Sequence, residues 1–85
     1  MSGKVALVAG ASKGIGAATA EEFAAAGAAV VLAARDVATL RAVAGDIEAR
    51  GGRALAVGTD VTDAGSVRRL VERTVEAVNA LWPAR

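Results

Sequence analysis

The sequence predicts an α/β fold with a parallel sheet, and three observations carry this prediction. A short apolar run followed by an amphipathic segment occurs three times within 85 residues. The apolar runs, at residues 5–9, 29–34 and 54–57, do not alternate with polar residues, which is typical of strands covered on both faces. A glycine-rich turn separates the first run from the helical segment after it. Together these features predict the order β-α-β-α-β-α.

Each helical segment places apolar residues at three- and four-residue spacing, which predicts amphipathic helices. The first spans residues 14–26 and ends at Gly27, where a left-handed cap is expected. Asp36 and Asp63 are expected to cap the second and third helices. The predicted inward faces are Ile15, Thr19, Phe23 and Ala26 in the first helix, Leu40, Val43, Ala44 and Ile47 in the second, and Val67, Leu70, Val71, Thr74, Val75, Val78 and Leu81 in the third.

Strand, helix and strand within about thirty residues predict parallel pairing through right-handed crossovers. The expected architecture is half of a doubly wound Rossmann-type fold, with three parallel strands in the order 3-2-1 and three helices. Residues 1–85 are interpreted as one module. The strand at residues 5–9 then lies at an edge that a fourth strand would cover, so self-association through this edge or through the third helix is expected.

The first turn has the glycine spacing G-x-x-x-G-x-G, formed by Gly10, Gly14 and Gly16. Gly10 allows the chain to leave the strand, Gly14 leaves space for a ligand, and Gly16 allows the helix to pack closely on the strand. The unpaired N–H groups of the first helical turn would point at a diphosphate. Taken alone, the spacing is a weak signal, and a glycine-rich turn that binds nothing remains an alternative.

The stretch Ala9-Gly10-Ala11-Ser12-Lys13-Gly14-Ile15-Gly16 resembles the cofactor motif of the short-chain dehydrogenase/reductase family, which usually has Thr at the position of Ala9. The resemblance extends from about Lys4 to Leu81. It implies an oxidoreductase that uses NAD or NADP. The motif residues expected to bind the cofactor are Gly10, Ser12, Lys13, Gly14, Ile15 and Gly16.

Two further positions resemble the family at the ends of the second and third strands. Arg35 stands where NADP-preferring members have a basic residue that pairs with the 2′-phosphate, and Lys13 is a second such position. These residues favour NADP over NAD, although each alone is equally compatible with a solvated surface charge. Asp60 and Val61 resemble the pair that contacts adenine, whereas an aspartate in such a loop otherwise forms a turn or cap.

Composition excludes several other classes of function. The net charge is +1 and the arginines are dispersed, so no nucleic-acid partner is expected. The chain has no cysteine and no histidine, and no metal site is expected. The longest uncharged apolar run, at residues 23–34, is too short to span a membrane, and no signal peptide is recognised. A cytoplasmic location is therefore the expectation.

The resemblance also shows what the sequence lacks. Family members add an Asn-Asn-Ala-Gly stretch, a catalytic Ser and a Tyr-x-x-x-Lys pair, whereas this sequence has no tyrosine and its single asparagine, Asn79, stands outside such a stretch. No catalytic residue is assigned. The leading hypothesis is a truncated, NADP-binding N-terminal portion of a reductase. The alternatives are a free-standing nucleotide-binding or interaction module without catalysis, and a designed or reconstructed half-fold.

Overall fold

A computed structural model of the chain describes residues 4–10 and 14–81, without the side chains of residues 80 and 81. It confirms the predicted fold class. The strands are β1 (Val5–Ala9), β2 (Ala29–Ala34) and β3 (Arg53–Gly58), and the helices are α1 (Gly14–Ala25), α2 (Val37–Ala49) and α3 (Ala64–Leu81). Among the described residues, no helix is long and apolar enough to cross a membrane.

The sheet has β2 at its centre, with β1 and β3 paired to it in parallel. This is the predicted strand order, and β1 lies at an edge as expected. The register aligns Leu7 with Val31 and Val31 with Leu55, so these three side chains lie on the same face of the sheet. All three strands end together, which brings their carboxyl ends to one edge of the sheet.

Helices α1 and α2 cover one face of the sheet. The central residues of this core, Val30 and Leu32 of β2 and Leu40 of α2, are almost completely buried. The predicted inward face of α2 is confirmed, because all four of its members are buried: Leu40, Val43, Ala44 and Ile47.

The predicted inward face of α1 is partly wrong. Ile15 is 85% exposed and Ala26 is also exposed, whereas Ala20 is fully buried. The residues of α1 that pack on the core are Ala17, Ala20, Phe23 and Ala24. Apart from Phe23, the contact face consists of alanines, whose small side chains let the helix lie close to the sheet. Because the segment is rich in alanine, the spacing of apolar residues does not reveal which alanines face the core.

The predicted inward face of α3 is mostly wrong. Of its members whose side chains are described, Leu70 alone is buried, and it packs with Val31, Ala33 and Val57 on the second face of the sheet. The side chain of Leu81, the last predicted member, lies outside the described residues. Four valines of the predicted stripe are 36% to 54% exposed, and we call them the valine flank: Val67, Val71, Val75 and Val78. Leu7 of β1, on the same face of the sheet, is 49% exposed.

The position of α3 explains this exposure. The helix contacts β3 and β2. Its opposite flank, with Arg69 and Arg73, lines a groove beside Val57 and Gly58 of β3. The valine flank therefore faces away from β3, over the side of the sheet where β1 lies. Since α3 packs on β2 and β3, its valines lack the cover that the sequence pattern suggested.

Candidate nucleotide-binding site

A cavity of about 600 Å³ lies at the carboxyl ends of the strands. This is the edge at which open parallel sheets bind ligands. The cavity is predominantly apolar with a few polar groups at its rim, as is usual for small-molecule sites. Its lining residues are Ala9, Gly10, Ala33, Ala34, Arg35, Asp36, Thr59 and Val61.

The glycine turn adjoins this cavity. Gly10 has φ of +70° and Gly14 has φ of +60°, a backbone conformation that residues with a side chain rarely adopt. A Cβ atom placed at either position would meet no described atom within 4 Å, so both glycines border open space. The Gly10 N–H donates to the Ala33 carbonyl at 2.7 Å and joins the turn to β2. Backbone shape and open space thus fit a loop that a ligand approaches closely.

The structure describes some of the other predicted members of the glycine motif and leaves two outside the described residues. Gly14, Ile15 and Gly16 form the start of α1. The Ile15 side chain is exposed and Gly16 is half-buried. Ser12 and Lys13 lie outside the described residues, so their predicted roles stay predictions.

Arg35 follows β2 directly, at the rim of the cavity. Its side chain is 79% exposed, and its Nη2 atom lies 4.0 Å from Oδ2 of Asp60. The neighbouring Asp36 is the N-cap of α2, as predicted. Its Oδ1 accepts the Thr39 N–H at 3.1 Å and its Oδ2 accepts the Thr39 hydroxyl at 2.6 Å. Both carboxylate oxygens of Asp36 therefore accept hydrogen bonds from Thr39, whereas the Arg35 guanidinium is accessible to solvent.

Thr59 anchors the loop after β3. Its N–H donates to the Ala34 carbonyl at 2.9 Å, and its hydroxyl donates to the Val57 carbonyl at 3.0 Å. The residue is buried. These bonds fix the loop against the end of β2, beside Arg35.

Asp60 forms a local turn through its carboxylate. Oδ1 accepts the Thr62 N–H at 3.0 Å and the Thr62 hydroxyl at 2.7 Å. These two bonds, with a smaller contribution from the Arg35 charge, lower the pKa of Asp60 below its ordinary value. The side chain is therefore an ionised acceptor at neutral pH, held in a fixed orientation.

The backbone of the same turn is tied to α3 by Ser66. The Asp60 N–H donates to Ser66 Oγ at 2.8 Å, and the Ser66 N–H donates to Asp63 Oδ2 at 3.1 Å. The second bond confirms Asp63 as a helix cap. Among the described residues, no acceptor pairs with the Val61 N–H. The sequence interpretation missed Ser66 and Thr59, although the polar position three residues after the Asp63 cap was a usable signal.

The structure thus brings together part of the predicted site. Gly10, Arg35 and Val61 line one cavity, and Asp60 lies next to it in sequence and space, with its Oδ2 4.0 Å from Arg35 Nη2. These residues come from the ends of all three strands. Together they offer the Val61 N–H as a backbone donor, one cation and one anion around an apolar pocket, a combination suited to a nucleotide.

The chain is similar to known proteins over almost its whole length. The model of the short chain dehydrogenase family matches residues 4–83. An uncharacterised oxidoreductase of Methylorubrum extorquens is 50% identical over 82 residues, covering 95% of this chain and 33% of that protein. A 2,5-dichloro-2,5-cyclohexadiene-1,4-diol dehydrogenase of Sphingobium indicum is 42% identical over 81 residues, covering 95% of this chain and 32% of that protein.

The chain is also similar in fold to solved structures. A metagenomic short-chain oxidoreductase in complex with NADP superposes with a TM-score of 0.87 at 43% identity, covering 93% of this chain and 36% of that one. The chain therefore spans about a third of the length of the relatives it matches.

Proposed function

The chain belongs to the short chain dehydrogenase family, and on that premise we propose that it is the NADP(H)-binding N-terminal portion of an oxidoreductase. As it stands, the chain is proposed to bind the cofactor without completing the reaction, since the sequence offers no Tyr-x-x-x-Lys pair. The observation that carries the proposal is the position of Arg35 and Val61 around one cavity at the carboxyl ends of the strands. When bound, the nicotinamide supplies or accepts a hydride.

Different residues of the site would bind the diphosphate and the adenine of a dinucleotide. Gly10 and Gly14 leave open space where the diphosphate would approach the start of α1. The ionised Asp60 carboxylate is an acceptor for the adenine amine, and the Val61 N–H is a donor for an adenine ring nitrogen. Ser12, Lys13, Ile15 and Gly16 complete the proposed cofactor contacts.

Arg35 supports NADP rather than NAD. A guanidinium can pair with the 2′-phosphate, whereas an acidic side chain at this edge would hold the ribose hydroxyls of NAD. The nearby Asp36 carboxylate is occupied by Thr39. A well-formed charge-assisted pair contributes about 1.5 to 3 kcal/mol, and the exposure of Arg35 reduces this. The NADP complex of a structural neighbour also supports the choice.

Calorimetric titration of the chain with NADP, NAD and adenosine 2′,5′-bisphosphate tests the proposal. NADP should bind more tightly than NAD, and the bisphosphate should retain much of the affinity. Arg35→Asp should weaken NADP binding and hardly affect NAD. Arg68→Asp, the same charge change on an exposed position of α3, is the control and should change neither. Equal affinities would overturn the choice of NADP, and no binding of any of the three ligands would overturn cofactor binding itself.

We also propose that the isolated chain associates with a second copy through the valine flank and Leu7. These five side chains are apolar and at least 36% exposed, which is unusual for so many large apolar residues in a small chain. Among the described residues, no strand pairs with the outer edge of β1, and such an edge favours association of like chains. Sedimentation at tens of micromolar should show dimers or larger species, and Val71→Glu should reduce them. A stable wild-type monomer would overturn this proposal.

A further inference from the structure

We propose that Ser66 is a positioning residue that sets how well the turn at residues 60–63 discriminates adenine from other bases. This inference rests on the proposed cofactor function and adds a residue that does not itself touch the ligand. Ser66 is only 4% exposed, and its hydroxyl oxygen accepts the Asp60 N–H at 2.8 Å.

The bond joins the turn to a rigid element. Ser66 lies in the first turn of α3, and Leu70, one turn further on, is buried against β2 and β3. The Asp63 carboxylate holds the Ser66 N–H, and the Asp63 N–H in turn donates to the Asp60 carbonyl at 3.0 Å. Asp60 is thus held at both its N–H and its carbonyl, so its backbone cannot rotate without breaking two hydrogen bonds.

The fixed backbone of Asp60 determines the positions of the two groups that would form hydrogen bonds with the base. The Asp60 carboxylate is oriented by Thr62, and the Val61 N–H lacks an acceptor among the described residues. Adenine offers an amine donor beside a ring acceptor, which matches an acceptor and a donor on adjacent residues. Hypoxanthine, the base of inosine, has a carbonyl and a ring N–H in those places. A well-fixed turn should therefore prefer adenine, and a loosened turn should lose that preference.

The experiment compares adenosine 5′-diphosphate with inosine 5′-diphosphate by titration. The two ligands share the diphosphate and ribose, so the ratio of their affinities isolates the base. The wild-type chain should prefer the adenosine ligand. Ser66→Ala should reduce the ratio about three- to tenfold, the equivalent of one ordinary hydrogen bond. Ser66→Thr, which keeps the hydroxyl, should restore it.

Two further variants separate positioning from a purely structural role. Ser66→Cys keeps the side-chain size with a weak acceptor and should act in the same direction as Ser66→Ala. Thr74→Val removes a hydroxyl that donates to the Leu70 carbonyl at 2.7 Å, further along α3. It should lower stability without changing the ratio. If Ser66→Ala and Ser66→Cys fold and keep the wild-type ratio, the inference is overturned.

Amide hydrogen exchange in the ligand-free chain distinguishes this failure from failure of the proposed function. The Asp60 N–H should be protected in the wild type and should exchange faster in Ser66→Ala and Ser66→Cys. If the wild type binds neither ligand but shows this change, cofactor binding is wrong and the positioning of the turn is retained. If exchange at Asp60 is unchanged in both variants, Ser66 does not position the turn.

Discussion

The two faces of the sheet carry similar sequence patterns but are covered to different extents. On the face of α1 and α2, the apolar stripe of α2 is buried as the spacing predicts. On the face of α3, an equally regular stripe leaves four valines exposed. Periodicity therefore identifies which side of a helix is apolar, but burial depends on which strands lie opposite that side.

The largest expected effect comes from truncating matched stripe residues on the two faces. Leu40→Ala on α2 should destabilise the chain by about 2 to 5 kcal/mol, because Leu40 is completely buried and the change leaves a cavity. Val71→Ala, in the stripe of α3, should change stability by about 0.5 kcal/mol or less because Val71 is half exposed. Chemical denaturation of dilute monomer measures both. Similar losses in the two variants would contradict the difference between the faces.

A destabilisation of intermediate size is expected from a substitution at the contact between α2 and the end of β3. A Cβ atom at Gly58 would overlap Cγ2 of Val37, the first residue of α2. Gly58→Ala should therefore cost about 1 to 3 kcal/mol through overpacking. The double variant Gly58→Ala with Val37→Ala should recover part of this loss, because the second change removes the overlapping methyl group.

Val37→Ala alone is the control for that pair. A double-mutant cycle separates relief of the overlap from the intrinsic cost of each change. If the losses in free energy of unfolding are additive, α2 can shift away from β3. The close packing of Val37 on Gly58 would then not restrict substitution at Gly58. Thermal unfolding at low concentration is a suitable measurement.

The sequence predicted the fold well because the fold depends on short-range patterns. The strand at Val5–Ala9, the caps Asp36 and Asp63, and the strand order all follow from local spacing and from rules for parallel sheets. The exposure of Ile15 and of the valine flank did not follow, since it depends on how the helices lie over the sheet of three strands that the described residues form. Spacing alone cannot supply that information.

The candidate site was predictable to a different degree. The sequence assigns Gly10 through its glycine motif, Arg35 through its position at the end of β2, and Val61 through the family resemblance, and all three line one cavity. Ser66 was missed because its contribution is one hydrogen bond to the backbone of a residue six positions earlier. The spacing from the Asp63 cap indicates a polar position in the first turn of α3, but the bond to Asp60 also depends on the path of the loop, which residue types do not reveal. The roles of Ser12 and Lys13 remain sequence predictions.

The smallest expected change in stability concerns Asp60, in the loop that joins β3 to α3. The hydrogen bonds from Thr62, with a smaller contribution from Arg35, lower the pKa of Asp60 in the folded chain. Because the folded-state pKa lies below that of the unfolded chain, the carboxylate adds stability at pH values above the unfolded-state pKa, about 3.9. This contribution is lost as the pH falls through the folded-state value.

Asp60→Asn should therefore flatten the dependence of stability on pH below about pH 4, and the difference between wild type and variant should shrink as the solution becomes more acidic. Urea unfolding at pH 7, 4 and 3 measures it. Asp46→Asn removes the same charge from an exposed position of α2 and controls for net charge. A wild-type pH profile in Asp60→Asn would mean that the Thr62 bonds do not favour the ionised carboxylate. The turn would then lack the fixed anionic acceptor on which the proposed binding of adenine depends.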